Sequence, residues 1–147
     1  MTTTTHTVSS SRSTTLIVRG AVGGLTGGII FGMLMQMMGM ITMIAMLVGS
    51  ESAAVGWLVH LAISAFLGAL FAALLGPRSR TYRTALGYGL AYGVLWWVLG
   101  ALIAMPAKLG MPLFALNTTT AFQSLMGHLI FGAVLGAVFL WTGRRNA

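Results

Sequence analysis

Two kinds of side chain on which most soluble enzymes depend are almost missing from this sequence. It has no cysteine, which excludes disulfides, thiolate metal sites and a cysteine nucleophile. It has one acidic residue, Glu51, so paired carboxylates and serine triads have no acid to complete them. Only 6% of the residues are charged, about a quarter of the share usual in soluble domains. These absences exclude an ordinary water-soluble domain and predict that the chain is not an enzyme.

What the sequence has in abundance is apolar length. Of its 147 residues 57% are hydrophobic, and they fall into four stretches. A helix needs about 20 apolar residues to cross a bilayer. The predicted fold is therefore all-α, a bundle of four transmembrane helices in one domain. The domain is predicted at 16–147, with spans at about 19–48, 53–76, 84–105 and 118–142.

The first fifteen residues and the first span each carry a separate expectation. Residues 1–15 are rich in Thr and Ser, and we expect a disordered polar tail because they cannot bury enough apolar surface to fold. The first span would measure ~45 Å as a straight helix, longer than the ~30 Å hydrocarbon core. It is therefore predicted to tilt or to project into the interface.

The basic residues predict the orientation. Seven of the eight lie on one side of the predicted spans, and only Lys108 lies on the other. The positive-inside rule then places both termini in the cytoplasm, in the inner membrane of a cell. Because the basic residues flank apolar runs, they indicate membrane topology and contact with the lipid bilayer, and no nucleic-acid partner is expected. The seven are Arg12, Arg19, Arg78, Arg80, Arg83, Arg144 and Arg145.

Spans two and four contain the same twelve-residue pattern. HLAISAFLGALF, from His60 to Phe71, aligns without gaps with HLIFGAVLGAVF, from His128 to Phe139, and seven positions are identical. Spans one and three also start alike. We predict two tandem helical hairpins that form a parallel repeat, related by an axis along the membrane normal.

This duplicated pattern resembles small four-helix bacterial integral membrane proteins of unknown function. The resemblance covers spans two and four. It implies a multipass fold in a bacterial inner membrane, and it implies no activity and no catalytic residue.

Small residues recur every fourth position in all four spans. Residues four apart share a helix face, so each span carries a groove where another backbone can approach closely. We predict that these grooves hold the bundle together, because lipid offers no hydrophobic drive for helix association. The predicted packing glycines are Gly20, Gly24, Gly28, Gly32, Gly68, Gly89, Gly93, Gly132 and Gly136.

Four polar or amphipathic residues lie on the same grooves. His60 and His128 occupy matching positions in spans two and four, and Gln36 and Trp97 extend the grooves of spans one and three. We predict that they form a polar core in the outer half of the bundle. Histidines hydrogen-bonded across helices would need no cofactor. The alternative is haem held by His60 and His128, while a metal without haem is not expected because no carboxylate or thiolate completes its shell.

Three functions remain open from the sequence. The first is a non-catalytic accessory or structural subunit, in a homo-oligomer or with other membrane-protein subunits, because helix-contact surface exceeds recognisable chemistry. The second is a haem-binding electron carrier that uses His60 and His128. The third is a small-solute channel or transporter. The lack of any acid within the spans disfavours a proton- or sodium-coupled transporter, and the small-residue grooves favour tight packing over a pore.

Overall fold

The computed structural model describes the backbone of residues 6–144 and the side chains of residues 13–144, and that part of the chain is all-helical. Residues 1–5 of the predicted tail lie outside the described residues, so disorder there stays a prediction. The described backbone begins with helix α1 at His6. The elements are α1 (His6–Met37), α2 (Ile41–Met46), α3 (Ala53–Leu75), a 3-10 turn (Gly76–Arg78), α4 (Tyr82–Trp96), a π-helical segment (Trp97–Ala104), α5 (Met105–Lys108) and α6 (Thr118–Arg144).

The described chain contains four helical stretches that are long and apolar enough to cross a membrane. This confirms the prediction of an all-helical protein with four candidate transmembrane helices. Their bounds are Ser13–Met37, Ala53–Arg78, Tyr82–Lys108 and Thr118–Arg144.

The first span differs from its predicted length. It ends at Met37, and the chain turns at Gly39, whose φ of 70° lies in the left-handed region that favours glycine. The short α2 then packs on α3, where Gly56 leaves room for the Ile41 carbonyl. The apolar run to Val48 is therefore a helix, a turn and a second short helix. The sequence predicted one long span because the hydrophobic pattern continues across the turn at Gly39.

The third span changes its helical form halfway. Residues Trp97–Ala104 form a π-helical segment that continues into α5. Pro106 has no N–H for the Leu102 carbonyl, and its ring would clash with that carbonyl in a regular helix. The Leu102 carbonyl instead accepts the N–H of Phe114, at 3.2 Å, from the connection to α6. Proline therefore accounts for the widened helix.

The four spans form an incomplete ring. The helices follow one another in the order α3, α1, α6 and α4, because α1 packs along both α3 and α6, and α4 packs along α6. Helices α3 and α4 share little contact. They are joined where the Tyr92 hydroxyl donates to the Leu67 carbonyl at 2.8 Å and the Tyr92 ring meets Phe71 edge-on. One side of the bundle thus has little contact between its helices.

The predicted glycines lie where helices pack closely. A Cβ on Gly24 would overlap the Ser64 carbonyl and the Gly68 backbone, and a Cβ on Gly89 would overlap the Gly132 carbonyl. Gly28 and Gly32 instead make room for side chains of α3. The remaining predicted positions, which approach another backbone, are Gly20, Gly68, Gly93, Gly132 and Gly136.

Candidate functional site: the histidine cavity

A cavity of about 540 Å³ lies between α1, α3, the π-helical segment and α6. We call it the histidine cavity, because His60 and His128 both line it. Its walls are mostly apolar and include Phe31, Phe131 and several methionines, whose flexible thioether chains adapt to irregular space. Its volume is within the range of small-molecule sites, and it lies where α3 and α4 separate.

His60 joins two helices. Its side chain is buried, and Nε2 lies 2.9 Å from the Gly28 carbonyl on α1, so Nε2 carries the proton and donates. Gly32, one turn further along α1, leaves room for the imidazole and for the Trp57 ring. Ser64 donates to the His60 carbonyl at 2.8 Å. This histidine therefore acts as an interhelical contact between α3 and α1.

His128 behaves differently, although the sequence places it at the matching position. Its Nδ1 lies 2.8 Å from the Ser124 carbonyl, one turn earlier in the same helix, so Nδ1 donates and Nε2 is left as an acceptor. The His128 carbonyl approaches α4 at Gly93, and the His128 ring packs edge-on against Phe31 of α1. The ring of His128 is thus available to the cavity.

The geometry does not fit a haem held by both histidines. The ring of His128 is oriented as an axial ligand would be, with Nδ1 on a carbonyl and Nε2 free. His60 is turned the other way, because its Nε2 is held by Gly28. The ring of Phe31 packs edge-on against both imidazoles, with centroids 5.6 Å from His60 and 4.8 Å from His128. An iron between them would require breaking the His60 bond and moving Phe31.

The structure does not bring Gln36 and Trp97 into this cavity. Gln36 is exposed, and its Oε1 accepts a hydrogen bond from Trp57 Nε1 at 3.2 Å. Trp57 in turn meets His60 edge-on, so Gln36 lies one side chain away from the cavity. The indole N–H of Trp97 is buried and has no hydrogen-bond partner among the residues described. Of the four residues predicted to share a core, the cavity contains the two histidines.

Sequence reasoning missed several residues of the cavity. Ser64 and Ser124 lie one turn from the histidines on the same helix faces, so the fourfold spacing could have identified them. Phe31, Trp96 and Lys108 also line it. No spacing in the sequence indicated them, because their positions depend on the break at Gly39 and on the π-helical segment.

Below the cavity the centre of the bundle is filled. Phe71, Leu135 and Phe139 are almost fully buried, and Phe71 meets Phe139 edge-on at 5.7 Å. Tyr92 completes this cluster. The side chains separate the histidine cavity from the opposite end of the bundle, and this packing gives the channel alternative no support.

No protein-family model, no curated protein and no solved structure matches this chain.

Proposed function

We propose that the chain is a non-catalytic multipass protein of the cytoplasmic membrane that works as a subunit of a homo-oligomer. The coarse part of this assignment, a multipass membrane protein, follows from the four apolar helices. The single carboxylate side chain, Glu51, lies in the loop before α3 and not in the histidine cavity, so the imidazoles there have no carboxylate to pair with. Without such a pair, association accounts for the structure better than chemistry does.

The proposal places both termini in the cytoplasm and derives the two hairpins from a tandem duplication. The orientation is supported by the arginines, which gather at the end of the bundle where the α3–α4 turn lies. The duplication is supported by matching contacts. Gly68 meets Gly20 and Gly24 in the first hairpin, and its counterpart Gly136 meets Ala85 and Gly89 in the second.

The observation that carries the proposal is the open side between α3 and α4. A bundle that closes its own ring would bury these helices against each other, yet here they share little contact. Tyr92 makes a hydrogen bond and a ring contact between them. Beside that contact α3 presents Ile63 and Phe66 at the edge of the histidine cavity, and Phe66 is 64% exposed. A second copy facing this side about a two-fold axis would offer the same apolar surface in return.

Cross-linking through introduced cysteines tests the proposal, because the chain has none of its own. Phe66→Cys places a thiol on the open side. Ile29→Cys is the matched control: Ile29 is 48% exposed on α1, next to Gly28, which packs on Ser64 at a similar depth. In liposomes at a low protein-to-lipid ratio, we expect a short bis-maleimide to give covalent dimers from Phe66→Cys and background levels from Ile29→Cys. Equal yields from both positions, or no dimer from Phe66→Cys, would contradict self-association through this side.

A further inference from the structure

The end of the bundle opposite the histidine cavity holds a smaller pocket of about 380 Å³. We call it the arginine pocket. It lies between the start of α1, the turn after α3 and the end of α6, and three arginines line it together with apolar side chains. The arginines are Arg19, Arg80 and Arg144, and the apolar residues include Leu16, Phe139 and Leu140.

Arg19 is the inner wall of this pocket. Its Nη2 donates to the Phe139 carbonyl at 2.8 Å, and its guanidinium carbon lies 4.7 Å from the centre of the Phe139 ring. Gly143 makes room for it, because any Cβ there would overlap the guanidinium. A guanidinium has five N–H donors, and Nε is buried with no partner in the described part of the chain. The side chain is held in place with hydrogen-bonding capacity left over.

No carboxylate side chain is near enough to balance this charge. The only acid in the sequence, Glu51, lies beyond the other end of α3, and the 23 residues of that helix alone span ~34 Å. A guanidinium that is partly buried without a counter-ion is unfavourable. No side chain of this sequence supplies that counter-ion.

The two other arginines are positioned by neutral groups. Nε of Arg80 donates to the Pro77 carbonyl at 3.0 Å, and the Arg144 guanidinium lies 4.7 Å from the centre of the Tyr82 ring. Neither contact neutralises a charge. Three guanidinium groups thus border one pocket, and such groups match the paired oxygens of a phosphate.

We propose that the arginine pocket binds the phosphate group of an anionic phospholipid. Arg19 precedes the long apolar run of α1 and lines the pocket together with the turn after α3 and the end of α6, which places it at headgroup depth. Leu16, which is partly exposed, and Pro77, which is exposed, would lie against the upper part of the acyl chains. Basic pockets between transmembrane helices on the cytoplasmic side are suited to such headgroups. The site does not depend on self-association of the chain.

Lipid titration of the purified full chain, followed by native mass spectrometry, tests this site. We expect phosphatidylglycerol to bind at least about fivefold more tightly than phosphatidylcholine, since one arginine near a membrane surface contributes on that scale. Arg19→Gln should remove most of that preference. Arg78→Gln is the matched control: it removes the same charge from the same end of the bundle, but Arg78 bonds to the Leu74 carbonyl and does not line the pocket. It should change the preference less than twofold.

A second arm distinguishes a lipid from free phosphate. Millimolar inorganic phosphate should not displace phosphatidylglycerol, because it lacks the acyl chains that contact the apolar walls. Displacement by inorganic phosphate would overturn the assignment to a lipid. Equal affinity for the two lipids, or equal losses in Arg19→Gln and Arg78→Gln, would overturn the site itself.

A third variant keeps the test decisive if Arg19→Gln does not fold. Arg144 is exposed and contacts the Tyr82 ring, so Arg144→Gln leaves the helix seams intact. It should weaken phosphatidylglycerol binding more than Arg78→Gln does, and an effect no larger than that of Arg78→Gln would contradict the proposal.

Discussion

The two hairpins have similar glycine seams, but the seams differ at the end near the histidine cavity. In both, glycines bring the backbones of two helices together, around Gly24 and Gly68 in the first and around Gly89 and Gly136 in the second. One turn beyond Gly28, helix α1 has Gly32, which admits Trp57 and His60. One turn beyond Gly93, the second hairpin has Trp97 and changes to a π-helical segment. At that level the two helices of the first hairpin stay packed together, whereas the histidine cavity lies beside the second hairpin.

This difference decides what each histidine does. His60 is drawn into the closed seam and bonds to the Gly28 carbonyl of the neighbouring helix. His128 stays with its own helix and bonds to the Ser124 carbonyl. Residues at equivalent positions in similar sequences therefore take different roles here, because different carbonyls lie within reach of the two rings. Variants that disturb the two hairpins separately can test this comparison.

The largest effect is expected at the glycine seams. Gly24→Val would push a side chain into the backbone of Ser64 and Gly68, which cannot move aside as a flexible side chain could. We expect it to lower the free energy of unfolding by about 2–3 kcal/mol. Gly89→Val should do the same in the second hairpin. Unfolding in mixed micelles, followed by tryptophan fluorescence, measures both.

Gly87→Val is the control for the seam variants. Nothing lies within 4 Å of a Cβ at Gly87, so its replacement should leave the free energy of unfolding within about 0.5 kcal/mol of the parent. A loss as large as that of Gly24→Val would mean that glycine matters for the helices themselves and not for their contact.

The next largest effect is expected at His60, and the matching change at His128 should have a smaller one. His60→Phe removes a hydrogen bond between two helices, so we expect the free energy of unfolding to fall by about 1 kcal/mol. His128→Phe removes a bond within one helix and should cost about 0.5 kcal/mol or less. The same unfolding assay compares them. Equal losses would remove the distinction between the two hairpins.

Tyr92→Phe tests the contact that joins the hairpins on the open side. It removes the hydroxyl that donates to the Leu67 carbonyl and keeps the ring against Phe71. Interhelical hydrogen bonds in membranes average about 0.6 kcal/mol, and we expect a loss of that order in the unfolding assay. No measurable loss would indicate that the open side is not held at Tyr92.

The smallest effect is expected at Gln36. Its bond to the Trp57 indole is exposed, so Gln36→Leu should change the free energy of unfolding by no more than about 0.5 kcal/mol. A loss above 1 kcal/mol in the same assay would favour the shared polar core that the sequence predicts.

The features of the fold that depend on local sequence patterns were predicted correctly. Apolar length identified four helices, and the fourfold spacing of small residues identified the seams, because both depend only on helix geometry. The break at Gly39 lay inside an unbroken apolar run and gave no signal. The widened helix before Pro106 was also missed, since a proline near a helix end is compatible with several local structures.

The candidate site was predicted less completely. The matching positions of His60 and His128 indicated that both lie inside the bundle, and both line the histidine cavity. Which atom each ring would use could not be predicted, because it depends on which carbonyl the folded chain brings to the ring. Phe31 and Lys108 come from other helices, and only the tertiary arrangement brings them to the cavity.

The protonation sites of the two imidazoles test the account most directly. Nitrogen-15 spectra of histidine-labelled protein in lipid, in a His6→Gln background, report which ring nitrogen carries the proton. A carbonyl can only accept, so His60 should be protonated at Nε2 and His128 at Nδ1. The account predicts one ring of each tautomer. Two rings of the same tautomer would contradict it, because the two hairpins would then hold their histidines alike.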